Sequence, residues 1–344
     1  MTSFLRSDRS RPVAIWLFCT AALVFGMVVL GGATRLTGSG LSITQWKPIA
    51  GVMPPLGPHA WMLEFQNYQR IPQYRYVNAG MSLEAFKGIF WWEWAHRLLG
   101  RIVGVVFGVP FLVFLALRSL SARMIWRCVV LFALGGLQGL VGWWMVASGL
   151  EGRVSVAPER LATHLGLALI LYAALIWTAC EAWAGPSRPA AYRSRWPIIA
   201  VGLLALVYLQ CLLGALVAGN QAGLIYNDWP LMAGQWFPRA YLDGSLMRSL
   251  LHSQAAVQFN HRLAAYALLA AAMGCAIAAA RSVSLAGQAK ALFVGLGVAV
   301  ASQALLGITT LMLRAPLALS AAHQALAAIV LAVAVALAWR TQRA

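Results

Sequence analysis

Eight long apolar stretches alternate with polar connections along the chain. Each stretch is long enough to form a helix that crosses the hydrocarbon layer of a bilayer, which takes about 20 residues. Two of the connections, at roughly 34–94 and 220–259, are far longer than the others. The pattern predicts eight transmembrane helices, at approximately 12–33, 95–117, 125–147, 161–182, 196–219, 260–280, 289–313 and 317–339.

The composition agrees with a membrane location. The 344 residues are 61% hydrophobic and 10% charged, whereas soluble domains carry about 25% charged residues. The net charge of +17 would also suit a nucleic-acid-binding protein. The basic residues, however, stand in short clusters between apolar stretches, as they do in the cytoplasmic loops of membrane proteins. We therefore predict an all-α integral membrane protein that has no nucleic-acid partner.

The cysteines and the N-terminal segment argue against several other classes. All five cysteines lie in or at the ends of apolar stretches, and none belongs to a CxxC or CxxCH motif. This pattern disfavours a structural disulfide, a zinc site, an iron–sulfur cluster and a covalently attached c-type haem. The first apolar stretch is too long for the core of a signal peptide, and no AxA-like cleavage site follows it. We expect it to remain as a membrane span.

Basic residues mark one set of connections and so predict the orientation, because cytoplasmic loops collect arginine and lysine. They precede the first span, fill the connections 2–3, 4–5 and 6–7, and end the chain: Arg6, Arg9, Arg11, Arg118, Arg123, Arg127, Arg188, Arg193, Arg195, Arg281, Lys290, Arg340 and Arg343. The connections 3–4 and 7–8 hold only Arg153, Arg160 and Arg314. We predict that both termini are cytoplasmic and that both long loops face outward.

The two long connections carry similar motifs. GGATRLTGSGLSITQWKPIAG begins at Gly31, and AGLIYNDWPLMAGQWFP begins at Ala222. At an offset of 183 residues, the matching pairs are Gly40 and Gly223, Leu41 and Leu224, Trp46 and Trp229, Ala50 and Ala233, Gly51 and Gly234, and Pro55 and Pro238. LQGLVG and SQALLG match at an offset of 165. We predict two tandem four-helix bundles, residues 1–183 and 184–344, related as a parallel internal repeat about an axis along the membrane normal.

Four histidines occupy corresponding positions in the even-numbered spans. They lie near the outer end of each helix and therefore at a common depth: His96, His164, His261 and His323. An ionisable side chain at membrane depth is costly and is commonly functional. Hydrogen bonds within the bundle are the alternative explanation for these side chains. His59 and His252 lie in the long loops, and we assign them no role.

Pairs of imidazoles predict a haem iron rather than zinc. Two histidines without further ligands make a poor zinc site, whereas two facing imidazoles suit the axial positions of a haem. Arg97 and Arg262 directly follow His96 and His261 and would pair with haem propionates, or else snorkel to the membrane interface. Arg35, near the end of span 1, is a further candidate. Glycines would admit a flat ring or let helices pack closely: Gly100, Gly104, Gly136, Gly139, Gly142 and Gly166.

The two halves differ at one position close to these histidines. Glu93 stands three residues before His96, while Gln258 takes the corresponding place in the second half. Residues at i and i+3 share a helix face, and a carboxylate beside a haem pocket is a candidate proton acceptor. An ion pair with Arg97 or Lys87 is the structural alternative. The difference predicts chemistry in the first half and a resident redox cofactor in the second.

Several motifs, taken in order, resemble those of the haem A synthase family over about residues 12 to 339: GGATRLTGSGLSITQWKPIAGVMPPL, FWWEWAHRLLGR, YNDWPLMAG, FNHRLAAY and AAHQALA. The resemblance implies an oxidoreductase that oxidises a methyl group of haem O stepwise to the formyl group of haem A, for cytochrome c oxidase. It implies that His261 and His323 ligate a resident haem b. It implies that His96 and His164 hold the substrate haem, and that Glu93 is the essential glutamate of the EWAHR motif.

The resemblance also implies a setting. Some family members carry a cysteine pair in an outer loop, and its absence here points to the proteobacterial and mitochondrial branch and argues against a thiol-based step. We expect the chain in the bacterial inner membrane, with its haem sites toward the outer side. A haem O synthase would supply the substrate, an external acceptor would take the electrons, and the oligomeric state stays open.

Two other functions suit part of the pattern. A bis-histidine membrane cytochrome b that only transfers electrons would also need four histidines, but it would not need a glutamate in one half alone. A porphyrin or solute transporter would suit a parallel repeat. Against the transporter, no span has a centre broken by proline or glycine with charges at the midplane.

Overall fold

The computed structural model describes residues 10–185 and 194–343, so Arg6, Arg9, Arg188 and Arg193 lie outside the described residues. Within these ranges the chain is helical and contains no β-strand. The α-helices, numbered in chain order, are α1 (Arg11–Leu36), α2 (Gly57–Gln69), α3 (Pro72–Tyr76), α4 (Leu83–Ala116), α5 (Ala122–Leu150), α6 (Pro158–Ala184), α7 (Trp196–Gly219), α8 (Leu246–His252), α9 (Gln254–Arg281), α10 (Gly287–Met312) and α11 (Leu317–Thr341). Within the same ranges, eight helices are long and apolar enough to cross a membrane, which confirms the predicted number of spans.

Two spans begin earlier than the hydrophobic pattern predicts. Helix α4 begins at residue 83 rather than near 95, since Ser82 Oγ accepts a hydrogen bond from Ala85 N at 3.2 Å. Helix α9 begins at residue 254 rather than near 260, with Ser253 Oγ as its cap. The added turns of α4 pack against the first loop, where Phe86 is fully buried. Capping serines and loop contacts therefore extend helices past the apolar stretch.

The central helices α1, α6, α7 and α11 pack against one another. Their buried aliphatic side chains belong to the main core, among them Leu17, Leu175, Val207 and Leu331. Helices α4 and α5 complete one group with α1 and α6, while α9 and α10 complete a second group with α7 and α11. This grouping is the one expected of two four-helix bundles. That a repeat axis relates the two groups stays a prediction.

Close contacts of small residues join the two groups. Gln324 of α11 donates from Nε2 to Val28 O of α1 at 2.6 Å. It fits there because Gly32 has no side chain, and a Cβ at that position would lie 1.9 Å from Gln324 Oε1. At the α6–α7 contact, a Cβ on Gly219 would lie 2.8 Å from Pro158 Cα. The absence of these two methyl groups lets the halves approach closely.

Both long loops lie at one end of the bundle, which we call the loop end. In the first loop, α2 and α3 pack on the first turns of α4 through a cluster of Leu41, Phe65, Tyr68, Ile71, Phe86 and Phe90. The opposite end carries the described basic residues of the predicted cytoplasmic segments: Arg11, Arg118, Arg123, Arg127, Arg195, Arg281, Lys290, Arg340 and Arg343. The short basic connections and the long loops therefore lie at opposite ends of the bundle, as the sequence pattern predicts.

Candidate functional site

A cavity of about 2190 Å³ lies inside the bundle and is lined by residues of both helix groups. The predicted site residues all line it: His96, His164, His261, His323, Glu93, Arg97 and Arg262. His252, to which the sequence pattern assigns no role, also lines the cavity, and its Nε2 lies 3.8 Å from Glu159 Oε2. The predicted site residues, which come from separate motifs in the sequence, therefore line a single cavity.

Each of the four histidines packs against a glycine of the span that precedes it. A Cβ on the glycine would lie 3.0 Å or less from a ring atom in three pairs, and 3.2 Å in the fourth. The pairs are Gly31 with His96, Gly142 with His164, Gly214 with His261, and Gly307 with His323. Because a methyl group would collide with the ring, glycine at these positions lets an imidazole lie against a helix backbone.

Three of the histidines are also held by a glutamine four residues before that glycine. The amide Nε2 of Gln138 and of Gln210 donates to the backbone oxygen of His164 and of His261, each at 3.0 Å. Gln303 donates to His323 O at 2.9 Å. The three amide nitrogens also lie within 3.5 Å of a ring nitrogen. Gln138 and Gln303 lie in the matching motifs LQGLVG and SQALLG, whereas Gln210 lies outside them.

His96 is the exception. The residue four positions before Gly31 is Met27, which lines the cavity and has no amide to donate. Among the described residues, the His96 ring makes no side-chain hydrogen bond, whereas the other three rings have glutamine partners. The site in the first half is therefore built with one imidazole less restrained than the rest.

The four imidazoles form two pairs. His96 and His164 lie on α4 and α6 of the first helix group, and His261 and His323 lie on α9 and α11 of the second. Within the described residues, there is no group of three or more His, Cys, Asp or Glu side chains that could hold a metal ion by themselves. Two imidazoles in each half match the axial ligands of a haem iron, the donor set of many membrane cytochromes.

The space between these pairs suits a flat guest. Gly104, Gly136 and Gly139 line the cavity, and a Cβ on any of them would meet no atom within 4 Å. Gly166 differs, since a Cβ there would lie 2.8 Å from Leu212 Cδ2, so this glycine serves helix packing. Of the glycines predicted either to admit a flat ring or to let helices pack closely, some therefore leave open space and Gly166 serves packing. Buried amide oxygens without a described partner complete the lining: Oε1 of Gln138, Gln210 and Gln303.

Glu93 is buried and fully hydrogen-bonded. Its Oε2 accepts from Ser42 Oγ and from Ile43 N, both at 2.8 Å. Its Oε1 accepts from Arg97 Nη2 at 2.6 Å and from Arg97 Nε at 3.1 Å. Of the two structural alternatives, the ion pair with Arg97 is thus present, while Lys87 pairs with Glu84 at 2.6 Å. The carboxylate joins the first loop to α4 at the edge of the cavity.

Arg97 and Arg262 tie the long loops down through main-chain carbonyls. Arg97 donates to Ile43 O at 2.7 Å and to Gln45 O at 3.0 Å. Arg262 donates from Nη1 to Asp228 O and Leu231 O, at 3.1 and 2.9 Å, and from Nη2 to Tyr226 O at 2.9 Å. Contact with a propionate stays a prediction for both. Arg262 Nε is buried and has no partner among the described residues.

Gln258 anchors the second loop to its helix, as Glu93 anchors the first loop to α4. Its Nε2 donates to Ala222 O at 3.0 Å and to Tyr226 O at 3.1 Å. Arg35 crosses between the halves and donates from Nη2 to the carbonyls of Ala218 and Gly219. Arg35 is a candidate for pairing with a propionate, and its observed hydrogen bonds reach α7 of the second half.

The YNDWPLMAG motif forms a tight loop around Asp228. The carboxylate accepts hydrogen bonds from Ala233 N at 3.0 Å and Gly234 N at 3.1 Å. Both donors have φ in the left-handed region, +50° and +75°, which turns their N–H groups toward the same side. Burial alone would raise the pKa of Asp228, but these hydrogen bonds and the charge of Arg262 outweigh it and hold the pKa below its usual value.

Comparison with known proteins places the chain in a family. The model of the COX15-CtaA family, described as cytochrome oxidase assembly protein, matches residues 14–335. A protein named heme A synthase from Caulobacter sp. (strain K31) is 63% identical over 344 residues, covering 100% of both chains. The heme A synthase of Maricaulis maris (strain MCS10) is 47% identical over 341 residues, covering 98% of each.

Another similar protein, named heme A synthase, comes from Rhodopseudomonas palustris (strain HaA2) and is 50% identical over 337 residues, which cover 96% of this chain and 90% of that one. The matches span the motifs, the eight helices and the four cavity histidines together. They confirm the resemblance to haem A synthases inferred from the motifs. The chain therefore belongs to the COX15-CtaA family of cytochrome oxidase assembly proteins.

Proposed function

We propose that the chain is a haem A synthase, an oxidoreductase that converts a methyl group of haem O to the formyl group of haem A. The observation that carries the proposal is the presence of two imidazole pairs on one cavity, each ring seated on a glycine. The names of the relatives, which match along the whole chain, support the same reaction.

The two pairs have separate roles in this proposal. His261 and His323 hold a resident haem b, since both rings are braced by a glutamine amide and both lie in the half that lacks the carboxylate. His96 and His164 hold the iron of haem O beside Glu93. A bound haem b would supply one-electron transfer to an external acceptor, and the protein supplies position and electrostatics.

Glu93 is the proposed proton acceptor of the reaction. Its charge is held in place by Arg97, and its Oε2 contacts a hydroxyl, Ser42 Oγ, at 2.8 Å. A hydroxyl both donates and accepts, so Ser42 can turn and accept from the carboxyl once Oε2 takes up a proton. The first loop also shields this carboxylate from water, since Glu93 is only 3% exposed.

A bis-histidine cytochrome b that only transfers electrons is the second candidate, and one observation favours it. Glu93 and Gln258 both anchor the loop above them, so a structural task alone would account for a polar side chain at this position. The two candidates differ in their products, because an electron carrier leaves haem O unchanged.

The setting follows the charge distribution. We infer that the chain lies in the bacterial inner membrane with both termini cytoplasmic and with the haem sites toward the outer side. Support comes from the short connections at the end opposite the long loops, which carry basic residues such as Arg118, Arg123 and Arg127. Haem O would come from a haem O synthase, and an external acceptor would take the electrons.

Expression in a bacterium that makes haem O but no haem A tests the reaction. Haems extracted from the cells are separated by chromatography, with an empty vector as control. Appearance of haem A supports the synthase. Purified protein that contains haem b while the cells accumulate only haem O would favour the electron carrier.

A further inference from the structure

The contact between α4 and α5 differs in sequence from its counterpart between α9 and α10. An offset of 165 residues aligns His96 with His261, and it sets glycines of the first half against larger residues of the second. The aligned pairs are Gly104 and Leu269, Gly108 and Met273, Gly135 and Val300, Gly136 and Ala301, and Gly139 and Ala304. At two neighbouring positions the first half has the larger side chain, since Phe107 and Phe132 align with Ala272 and Gly297.

The second-half contact is closed by small residues. A Cβ on Gly297 would lie 3.0 Å from Ala276 Cβ and 3.5 Å from Ala272 O, so the backbones of α9 and α10 nearly touch. Val300, one turn further along α10, is 4% exposed and lines the cavity. Helices α9 and α10 lie in contact over more of their length than α4 and α5 do.

The first-half contact is held open by aromatic rings. Phe107 of α4 and Phe132 of α5 stack with centroids 6.1 Å apart and planes 18° apart. Above this stack, a Cβ on Gly135, Gly136 or Gly139 would meet no atom within 4 Å. Two rings therefore set the distance between the helices, and the glycines leave the space beside them unfilled. We call this opening, bounded by Gly104, Phe107, Phe132, Gly135, Gly136 and Gly139, the α4–α5 seam.

The seam joins the cavity to the lipid-facing surface. All six of its residues line the cavity, and Phe132 is 54% exposed. Large apolar side chains flank it on the surface, among them Val105 and Leu140, each 60% exposed. Gly104 lies two helical turns, about 12 Å, along α4 from His96. The opening therefore lies beside the edge of a ring ligated by His96, within the hydrocarbon region.

We propose that the α4–α5 seam receives the hydrocarbon tail of the substrate haem. This inference rests on the proposed function, in which haem O occupies the first half. Haem O carries a long isoprenoid chain on the ring edge, and haem b lacks it. Through the seam the ring enters the bundle while the chain stays in apolar surroundings. The closed α9–α10 contact suits a haem without such a chain.

Two substitutions in α5 copy the residues of α10 and would close the seam: Gly135→Val and Gly139→Ala. Protein purified with its resident haem is titrated with haem O and, separately, with haem b, and binding to the second site is followed by absorbance. We expect the ratio of haem O affinity to haem b affinity to fall about tenfold in Gly135→Val and less in Gly139→Ala. The control is Gly295→Val, an exposed glycine of α10 with open space around it and away from the cavity, where the ratio stays unchanged.

An unchanged ratio in both seam variants would overturn the proposal, and so would an equal loss of both haems, which would mean that the glycines seat the ring. Should Gly135→Val lose its resident haem, Gly139→Ala decides alone, since one methyl group at a helix position with open space does not threaten the fold. Failure of the proposed function gives a different result in the same titration: the wild-type protein itself would bind no porphyrin at a second site.

Discussion

The glycine beneath each histidine offers a direct test of the imidazole pairs. In Gly307→Ala the new Cβ would lie 2.7 Å from His323 Cε1, whereas carbon atoms in contact prefer about 3.5–4.0 Å. The ring must then move by about 1 Å, and a ligand constellation tolerates roughly 0.5 Å. Alanine also favours a helix over glycine by about 1 kcal/mol, so the fold itself is not weakened. We expect His323 to be lost as an axial ligand.

Haem content and the low-spin bis-histidine absorbance of the purified protein provide the assay. The matched control is Gly295→Ala in the same helix, where a Cβ meets no atom within 4 Å and the spectrum should match wild type. Gly214→Ala, with its ring atom at 3.2 Å, should give a milder loss. If Gly307→Ala keeps a full low-spin spectrum, His323 is not a ligand or the ring does not rest where the structure places it.

Three further outcomes follow from single contacts. Glu93→Gln should keep its haem content but form haem A about 10²–10⁴ times more slowly, measured by chromatography of extracted haems, and undiminished haem A would remove Glu93 from the chemistry. Gly32→Ala, whose Cβ would lie 1.9 Å from Gln324 Oε1, should cost about 1–3 kcal/mol of stability, seen as a lower Tm in detergent. Adding Gln324→Ala should restore it, and no recovery in the double variant would disprove the clash. The Asp228 carboxylate has a lowered pKa, so it stabilises its loop above about pH 4 and loses that effect as the pH falls. The Tm difference between wild type and Asp228→Asn should therefore shrink below about pH 4, and a constant difference would contradict this.

The number of spans and the meeting of the four histidines at one cavity were predictable because each depends on a local pattern. Apolar length alone identifies a membrane helix, and four histidines at matching places in alternate spans must reach one depth. The starts of α4 and α9 were not predictable from apolar length, since Ser82 and Ser253 cap turns that pack on loops. Those turns are held by tertiary contacts that hydropathy does not register.

The partners of the arginines show a second limit. Arg97 and Arg262 were predicted to pair with propionates or to snorkel to the membrane interface, and their hydrogen bonds to loop carbonyls were not foreseen. A carbonyl belongs to every residue, so no residue type in the loops signals such a contact in advance. Gln210 was not predictable for a related reason. A single glutamine in an apolar span indicates no role until the structure shows the glycine and the imidazole ring beside it.

The anchoring of the loops through main-chain oxygens has a practical consequence. Arg101 and Arg262 donate to main-chain oxygens, and Arg97 does so in addition to its ion pair with Glu93. The acceptor that Gln45 offers to Arg97 is its backbone oxygen, so a substitution of the exposed Gln45 side chain leaves that hydrogen bond intact. This position is suited to carrying a spectroscopic label close to the cavity. The arginines themselves cannot be replaced in this way, because only a planar guanidinium with several N–H groups donates to two or three carbonyl oxygens at once.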